Sequence, residues 1–200
     1  MQGLTAPEPG LEDPLGPAER AEIAAARIRC KKIASASRVA AFNVWSTGIF
    51  AALALPFALF SGTALVMCLG LGLVTWNELR GRRLLQRFEP EAARVLGWNQ
   101  VALMGLLIGY GAWGIYSAFT APNPYEPYMR SNPELRSMLG SLDEMYAMMA
   151  LVVYGCVIVG SVIFQGLNSL YYFTRRRHIE AYRAETPAWV VRLQAMTAGA

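Results

Sequence analysis

Six side-chain amides have the type and placement to bind a polar ligand. They are Asn43, Asn77, Asn99, Gln100, Gln165 and Asn168, each within or beside a long apolar stretch. At 1.5 Å of rise per helical residue, all would lie within roughly 15 Å of the same membrane boundary. An amide in lipid needs a partner, and a bond to a neighbouring helix contributes about 1 kcal/mol. This amide layer is therefore predicted to clamp helices together. The alternative is a shallow vestibule for a lipid headgroup or polar solute.

Two arginine clusters have the chemistry to bind anions. They consist of Arg80, Arg82 and Arg83, and of Arg175, Arg176 and Arg177. A guanidinium group can hold a phosphate through two parallel hydrogen bonds, and each basic residue near an anionic membrane surface contributes about 1 kcal/mol. Basic residues beside apolar runs also orient membrane proteins. We expect orientation and general lipid contact, with a specific anionic lipid or acidic partner as the alternative.

Sequence signatures of catalysis, metal binding and cofactor binding are missing. The single histidine, His178, follows an arginine run, and Cys30, Cys68 and Cys156 form no CxxC pair. No G-x-S-x-G, S-x-x-K, H-E-x-x-H or Walker loop occurs. The central parts of the apolar runs also lack ionisable residues. Proton-coupled transport and carboxylate ion sites normally use such residues, so the sequence does not indicate either function. We expect no catalytic residue, no metal and no cofactor, and hence no enzyme.

The composition identifies the elements that carry these residues as membrane spans. Of the 200 residues, 54% are hydrophobic and 16% are charged, whereas soluble chains carry about a quarter charged residues. Three stretches contain no charge: Val39 to Asn77, Val95 to Tyr125 and Met145 to Thr174. The predicted fold class is an all-α integral membrane protein, a four-transmembrane-helix bundle with short amphipathic surface helices.

The first uncharged stretch must contain two spans, since one span needs about 20 residues. Proline, serine and glycine between Pro56 and Thr63 permit the turn. The predicted organisation is a flexible cytoplasmic tail at 1–17 and one membrane domain at 18–200, with spans at 39–58, 62–79, 98–119 and 145–172, an outer loop at 120–144 and a cytoplasmic segment at 173–200.

The distribution of basic residues predicts the orientation. All but two of the 18 Lys and Arg residues lie before the first span, between spans two and three, or after span four. The two exceptions are Arg130 and Arg136, in the loop between spans three and four. Such a bias places both termini in the cytoplasm and the protein in the cell (inner) membrane. Because the basic residues flank apolar runs, we expect membrane lipids as partners, anionic ones included, and no nucleic acid.

Three short surface helices are predicted outside the spans. One begins at Pro17, and it is predicted to lead into the first span, with a position at the membrane surface as the alternative. A second, in the outer loop, would place Leu135, Met138, Leu139 and Leu142 on one apolar face. A third begins at Pro187 and would rest on the inner membrane face through Trp189, Val190 and Leu193.

Two patterns bear on assembly. Gly105-x-x-x-Gly109 predicts close helix packing inside the bundle, with a dimer face as the alternative. A shift of 94 residues places Arg82 and Arg83 on Arg176 and Arg177, and Phe88 on Tyr182. Two-span repeats in parallel orientation would explain this echo, although arginine pairs after a span also arise for topological reasons.

The functional expectation follows from these limits. The leading hypothesis is a non-enzymatic scaffold or accessory subunit of a membrane assembly, a homo- or hetero-oligomer with other membrane proteins. The alternative is a small transporter or lipid-binding protein that uses the amide-lined site near the cytoplasmic face.

Overall fold

The computed structural model describes residues 15–121, 127, 131 and 142–198, and these contain six long helices and no strand. The helices are α1 (Pro17–Arg29), α2 (Lys31–Ala58), α3 (Gly62–Gln86), α4 (Glu91–Thr120), α5 (Leu142–Glu185) and α6 (Ala188–Ala198). Four of them, α2 to α5, are long and apolar enough to cross a membrane. The predicted all-helical class with four candidate spans is thus confirmed. The 1–14 part of the tail and most of the outer loop, including Leu135, Met138 and Leu139, lie outside the described residues.

Local sequence explains where the helices begin and end. Pro17 is the first residue of α1, and the carboxylate of Glu19 accepts a hydrogen bond from the Gly16 N–H at 2.9 Å. The Ser61 hydroxyl accepts from the Ala64 N–H at the start of α3. These are standard N-terminal caps, which satisfy backbone donors that have no partner within the helix. Pro56 lies in the last turn of α2, and the expected break falls at residues 59–61.

These four candidate spans, called spans below, form an antiparallel ring in which three of the four neighbouring pairs pack closely. We call the end with the α2–α3 turn the hairpin end, and the opposite end, which carries the two arginine clusters, the basic end. Helix α2 packs along α3, α3 along α4, and α4 along α5, whereas α2 and α5 touch over a short stretch. On α5, the hydroxyls of Ser161 and Ser169 donate to α4 carbonyls at Met104 and Gly97. The α2–α5 side is therefore the weakest seam of the ring.

The main hydrophobic core lies at the basic end. Helix α5 has 44 residues, about 66 Å at 1.5 Å per residue, so it extends well past a hydrocarbon layer of about 30 Å. Its last turns pack with α1, α6 and the α3–α4 turn around Leu85, Leu96, Ile179 and Val190, all at most 1% exposed. Val190 therefore belongs to this core and not to a membrane face, which corrects the expectation for α6.

Residues 94 positions apart lie opposite each other. The Tyr172 hydroxyl bonds Glu78 at 2.9 Å, and the rings of Phe88 and Tyr182 stack with centroids 4.7 Å apart. Arg183 approaches Glu89 at 3.7 Å. A constant offset means that α3 and α5 run parallel and in register across the bundle. Two similar two-span units related by an approximate two-fold axis along the spans would produce this arrangement.

The glycines that permit close packing are not the expected ones. A methyl group added at Gly105 or Gly109 would meet nothing within 4 Å, so this pair does not pack inside the bundle. A Cβ at Gly111 would instead lie 2.7 Å from Ile158 Cγ1, and one at Gly97 would lie 2.6 Å from the Phe173 ring. Close approach of α4 to α5 thus depends on Gly111 and Gly97.

Candidate functional site

The most unusual residue of the bundle is a buried glutamate. Glu78 lies on α3, eight residues before its end, and its side chain points between the four spans with 1% of its surface exposed. An ionisable side chain inside a membrane bundle is expensive to maintain and marks a functional site by default. The expectation that the bundle contains no carboxylate site is therefore wrong.

Four hydrogen-bond donors surround the Glu78 carboxylate. Asn43 Nδ2 and the Tyr172 hydroxyl donate to Oε1 at 3.0 and 2.9 Å. Asn99 Nδ2 and Gln100 Nε2 donate to Oε2 at 2.7 and 3.1 Å. Each carboxylate oxygen thus accepts two bonds, which fills the roughly four lone-pair positions of an ionised carboxylate. Glu78 and these four donors are called the Glu78 cluster below.

Every span contributes to this cluster. Helix α2 supplies Asn43, α4 supplies the neighbours Asn99 and Gln100, and α5 supplies Tyr172. The Asn99 amide has a second anchor, because it also donates to the Val74 carbonyl of α3 at 2.9 Å. The Asn43 amide likewise donates to the Tyr172 hydroxyl at 3.1 Å. The carboxylate therefore joins all four spans at one level.

Neutral donors, and not a cation, compensate the charge of Glu78. Among the described residues, no Lys, Arg or His nitrogen lies within 4.0 Å of its oxygens. Asn99 is 4% exposed, Gln100 2% and Tyr172 0%, so water has little access. Hydrogen bonds to a charged group are worth about 1.5 to 3 kcal/mol each, more than neutral ones. Together they can retain a buried charge that would otherwise require a counter-ion.

The structure brings together half of the predicted amide layer. Asn43, Asn99 and Gln100 meet at Glu78, whereas Asn77 and Asn168 are half-buried on other helix faces. Gln165 lies farther towards the hairpin end, and its Oε1 is buried with no partner among the described residues. The three joined amides bond across helices, and their common partner is a carboxylate.

The sequence contains a short repeat that relates Asn43 to Asn99, two of the residues that meet at Glu78. Residues 36–43 read ASRVAAFN and residues 92–99 read AARVLGWN, an offset of 56 positions that places Asn43 on Asn99. These two asparagines donate to opposite oxygens of Glu78. Glu78 directly follows the uncharged stretch ending at Asn77, so its position in the sequence resembles a span boundary and does not indicate burial.

A large cavity lies between the spans on the hairpin side of the Glu78 cluster. It has a volume of about 720 Å³, within the range of small-molecule sites. All four spans line it, and its wall combines aromatic rings such as Phe50, Trp113 and Tyr154 with hydroxyls such as Ser46 and the amide of Gln165. No charged residue contributes to the described wall. This cavity lies on the hairpin side of the amides, whereas the predicted vestibule would lie at the basic end.

Two threonines connect the cavity to the Glu78 cluster. Thr47, which lines the cavity, donates from its hydroxyl to the Asn43 carbonyl at 2.6 Å. The hydroxyl of Thr75, three residues before Glu78, lies 3.1 Å from that of Thr47. The bond from Thr47 goes to the Asn43 backbone carbonyl, so a shift of α2 at Asn43 also moves the part of the cavity wall that Thr47 forms.

The two arginine clusters differ in their contacts. Arg82 and Arg83 line a groove between α3 and α6 together with Arg87, and the Nε of Arg82 is buried without a partner among the described residues. Arg176 pairs with Glu180 at 2.8 Å, and Arg175 stacks 4.0 Å above the Tyr171 ring. Arg80 and Arg177 are exposed. The clusters remain separate groups at the basic end.

The described residues include no group of three or more His, Cys, Asp or Glu side chains that could hold a metal ion. Comparisons with known proteins found no matching family model, no matching curated protein and no matching solved structure. Function must therefore be inferred from the Glu78 cluster and the cavity.

Proposed function

We propose that this protein is a small transporter or lipid-binding protein that holds an amphipathic molecule in the cavity on the hairpin side of Glu78. The cavity is the observation that carries the proposal. Tightly packed membrane bundles leave no such space, and about 720 Å³ is enough for a small lipid or drug-sized molecule. The proposed site lies on the hairpin side of the amides, whereas the predicted amide-lined vestibule would lie on their basic side.

The lining indicates the chemistry of the ligand. Aromatic rings supply apolar contact area, while Gln165 offers a carbonyl oxygen without a partner among the described residues. Hydroxyls of Ser46, Ser117 and Thr63 can donate or accept. An anion finds no positive charge in the described wall and has Glu78 nearby. We therefore expect a neutral or cationic amphiphile with an apolar body and at least one hydrogen-bond donor.

The seam between α2 and α5 suggests a lateral route of entry. Because these helices touch over a short stretch, their separation requires fewer broken contacts than any other opening of the ring. A molecule already dissolved in the bilayer could enter there without crossing water. We further propose that both termini lie in the cytoplasm at the cell (inner) membrane, which the basic-residue distribution supports.

The test uses two alanines on α2. Ala54 lines the cavity, whereas Ala52 is exposed on the same helix. The protein is purified in mild detergent, and native mass spectrometry identifies the small molecules that remain bound. We expect wild type and Ala52→Phe to retain the same ligand and Ala54→Phe to retain at least about tenfold less, a difference of about 1.4 kcal/mol. Equal retention by both variants, or no bound molecule in wild type, contradicts the proposal.

A second candidate function is the scaffold or accessory subunit of a membrane assembly. The uncovered Gly105 and Gly109 support it, because small residues spaced four apart let a second helix approach closely. Gly105→Ile and Gly109→Ile should then dissociate an oligomer seen by cross-linking in membranes, while Gly72→Ile, another uncovered glycine, should not. A monomer in wild-type membranes would count against this candidate.

The arginines of the α3–α6 groove are proposed to hold an anionic lipid headgroup. The buried Nε of Arg82 supports this, since it has a donor available and no acceptor among the described residues. Exchange of Arg82, Arg83 and Arg87 for glutamine should reduce co-purifying anionic phospholipid. The same exchange at Arg175, Arg176 and Arg177 should have less effect, because Arg176 is paired with Glu180 and Arg175 is stacked on Tyr171, although the Nε of Arg175 is also buried without an acceptor among the described residues.

A further inference from the structure

The hydrogen-bond pattern of Glu78 fits only one protonation state. All four partners donate to the carboxylate, two to each oxygen. A proton added to either oxygen would form an O–H bond that points at a group which is itself donating. At least one of the four bonds must then break or reverse. The acceptor positions of Glu78 are therefore filled when it is a carboxylate, whereas a carboxylic acid would place a donor against a donor. The Asn99 Oδ1 atom is buried without a partner among the described residues.

The two oxygens differ in how firmly their donors are held. Asn99 and Gln100 share Oε2, and Asn99 is anchored further by the Val74 carbonyl, within the close packing of α3 against α4. Asn43 and Tyr172 share Oε1 and come from α2 and α5, the pair of spans with the weakest contact. Rearrangement at Oε1 disturbs the least packing. A proton should consequently bind at Oε1.

We propose that Glu78 binds one proton and that this proton loosens the α2–α5 seam, opening the cavity to the bilayer. The proton comes from hydronium in the aqueous phase, leaves water behind, and converts the carboxylate to a neutral acid without any other reactant. Displacement of the Asn43 or Tyr172 bond from Oε1 weakens the polar link between α2 and α5, which then depends mainly on the direct Asn43–Tyr172 hydrogen bond. Thr47 lies on α2 one turn from Asn43 and lines the cavity, so a shift of α2 moves this part of the cavity wall. The cavity's role rests on the proposed function, whereas proton binding and seam movement do not.

The surroundings of Glu78 offer few competing sites for the proton. Among the described residues, α2 and α4 present only amides to it, and α5 presents the Tyr172 hydroxyl. Along α3 the next charged side chains are Arg80, which is exposed, and Arg82, one turn towards the basic end. Neither forms an ion pair with Glu78. A titration of the cluster is thus a titration of this carboxyl group.

Infrared difference spectroscopy tests the proton directly. The protein in lipid nanodiscs is titrated between about pH 4 and about pH 9, a range that includes both ordinary and buried carboxyl groups. We expect a protonated-carboxyl band that is lost in Glu78→Gln and retained in the control Glu91→Gln, which removes an exposed glutamate at the start of α4. A spectrum in which Glu78→Gln removes no band overturns the proposal. If Glu78→Gln does not fold, Glu78→Asp keeps a carboxyl group and should shift the band.

Spin-label distances test the coupling to the seam. Labels replace the exposed Leu55 on α2 and Met148 on α5 in a chain whose three cysteines are changed to alanine. In wild type the distance should increase on acidification with the same midpoint as the infrared band. Glu78→Gln, which mimics the protonated group, should have the longer distance at every pH. A constant distance in wild type, or a transition that persists in Glu78→Gln, overturns the coupling. Neither experiment needs a ligand, so failure here is distinguishable from failure of Ala54→Phe to release one.

Discussion

At the scale of single residues, Glu78 depends on each of its donors because no cation within the described part of the chain lies beside the carboxylate. Removing one donor leaves a charged oxygen partly unsatisfied in a buried site, a loss of about 1.5 to 3 kcal/mol. Amides that lie near the same boundary without bonding Glu78 carry no such penalty. Side chains of the same type should therefore differ sharply in their effect on stability.

Asn99→Leu and Asn168→Leu make this comparison with the same chemical change. Asn99→Leu removes bonds to Glu78 and Val74 and should reduce the free energy of unfolding by about 2 to 3 kcal/mol. Asn168→Leu removes a half-buried amide that has no bond to the cluster and should change it by less than about 0.5 kcal/mol. Denaturant unfolding in mild detergent measures both. Equal effects would mean that the cluster does not form.

The sequence predicts the residue types of this site better than their arrangement. Side-chain amides inside apolar runs are conspicuous, so Asn43, Asn99 and Gln100 could be identified as a polar layer. Glu78 could not be separated from the basic flank that begins two residues later at Arg80. Its burial depends on which face of α3 turns inward, and that is determined by packing against α2 and α4.

At the scale of helices, close packing of α4 on α5 depends on glycines in contact and not on the most recognisable motif. Gly111 lies against Ile158 and the Tyr154 carbonyl, while Gly105, within the GxxxG motif, faces away from the bundle. A motif specifies that a helix can be approached closely. It does not specify which partner approaches.

Gly111→Ala and Gly105→Ala should consequently have opposite effects on stability. The added methyl group at position 111 would lie 2.7 Å from Ile158 Cγ1 and 3.2 Å from a backbone oxygen. Overpacking of this kind destabilises by about 1 to 3 kcal/mol. At position 105 the methyl group meets nothing, and alanine should stabilise the helix by up to about 1 kcal/mol. Thermal unfolding of the monomer in detergent distinguishes the two, and destabilisation by Gly105→Ala would contradict this packing.

The number of candidate spans can be predicted from the sequence, but the lengths of these helices cannot. Uncharged stretches indicate where lipid can be, whereas a helix continues wherever its backbone and packing allow. Helix α5 runs to Glu185 because Ile179 and Tyr182 pack into the core at the basic end. The predicted span ended at residue 172, where apolar character stops.

At the scale of the whole molecule, orientation in the membrane determines which side the cavity faces. The basic residues predict that the basic end is cytoplasmic, so the hairpin end and the cavity would face the opposite side. Thiol labelling can test this, because Cys30 lies at the basic end between α1 and α2.

Cys30 should react with a membrane-impermeant maleimide only after cells are opened. Burial raises the pKa of its thiol, while nearby Arg27 opposes the rise more weakly. The reactive thiolate is therefore scarce at neutral pH, and labelling should accelerate as the pH increases. Ala181→Cys, an exposed position on α5 near the same end, supplies a faster-reacting control. Labelling of either cysteine in intact cells would reverse the proposed orientation.

The central claim is that four spans meet at Glu78 and leave a cavity that an amphipathic molecule occupies. Electron cryomicroscopy of the full chain in lipid nanodiscs, with a bound antibody fragment for size, tests it most directly. The account predicts Glu78 within hydrogen-bonding distance of Asn43 and Asn99, and non-protein density beside Gln165 between α2 and α5. A bundle in which α2 packs along α5 and fills the cavity, with Glu78 facing lipid headgroups or water, would contradict it.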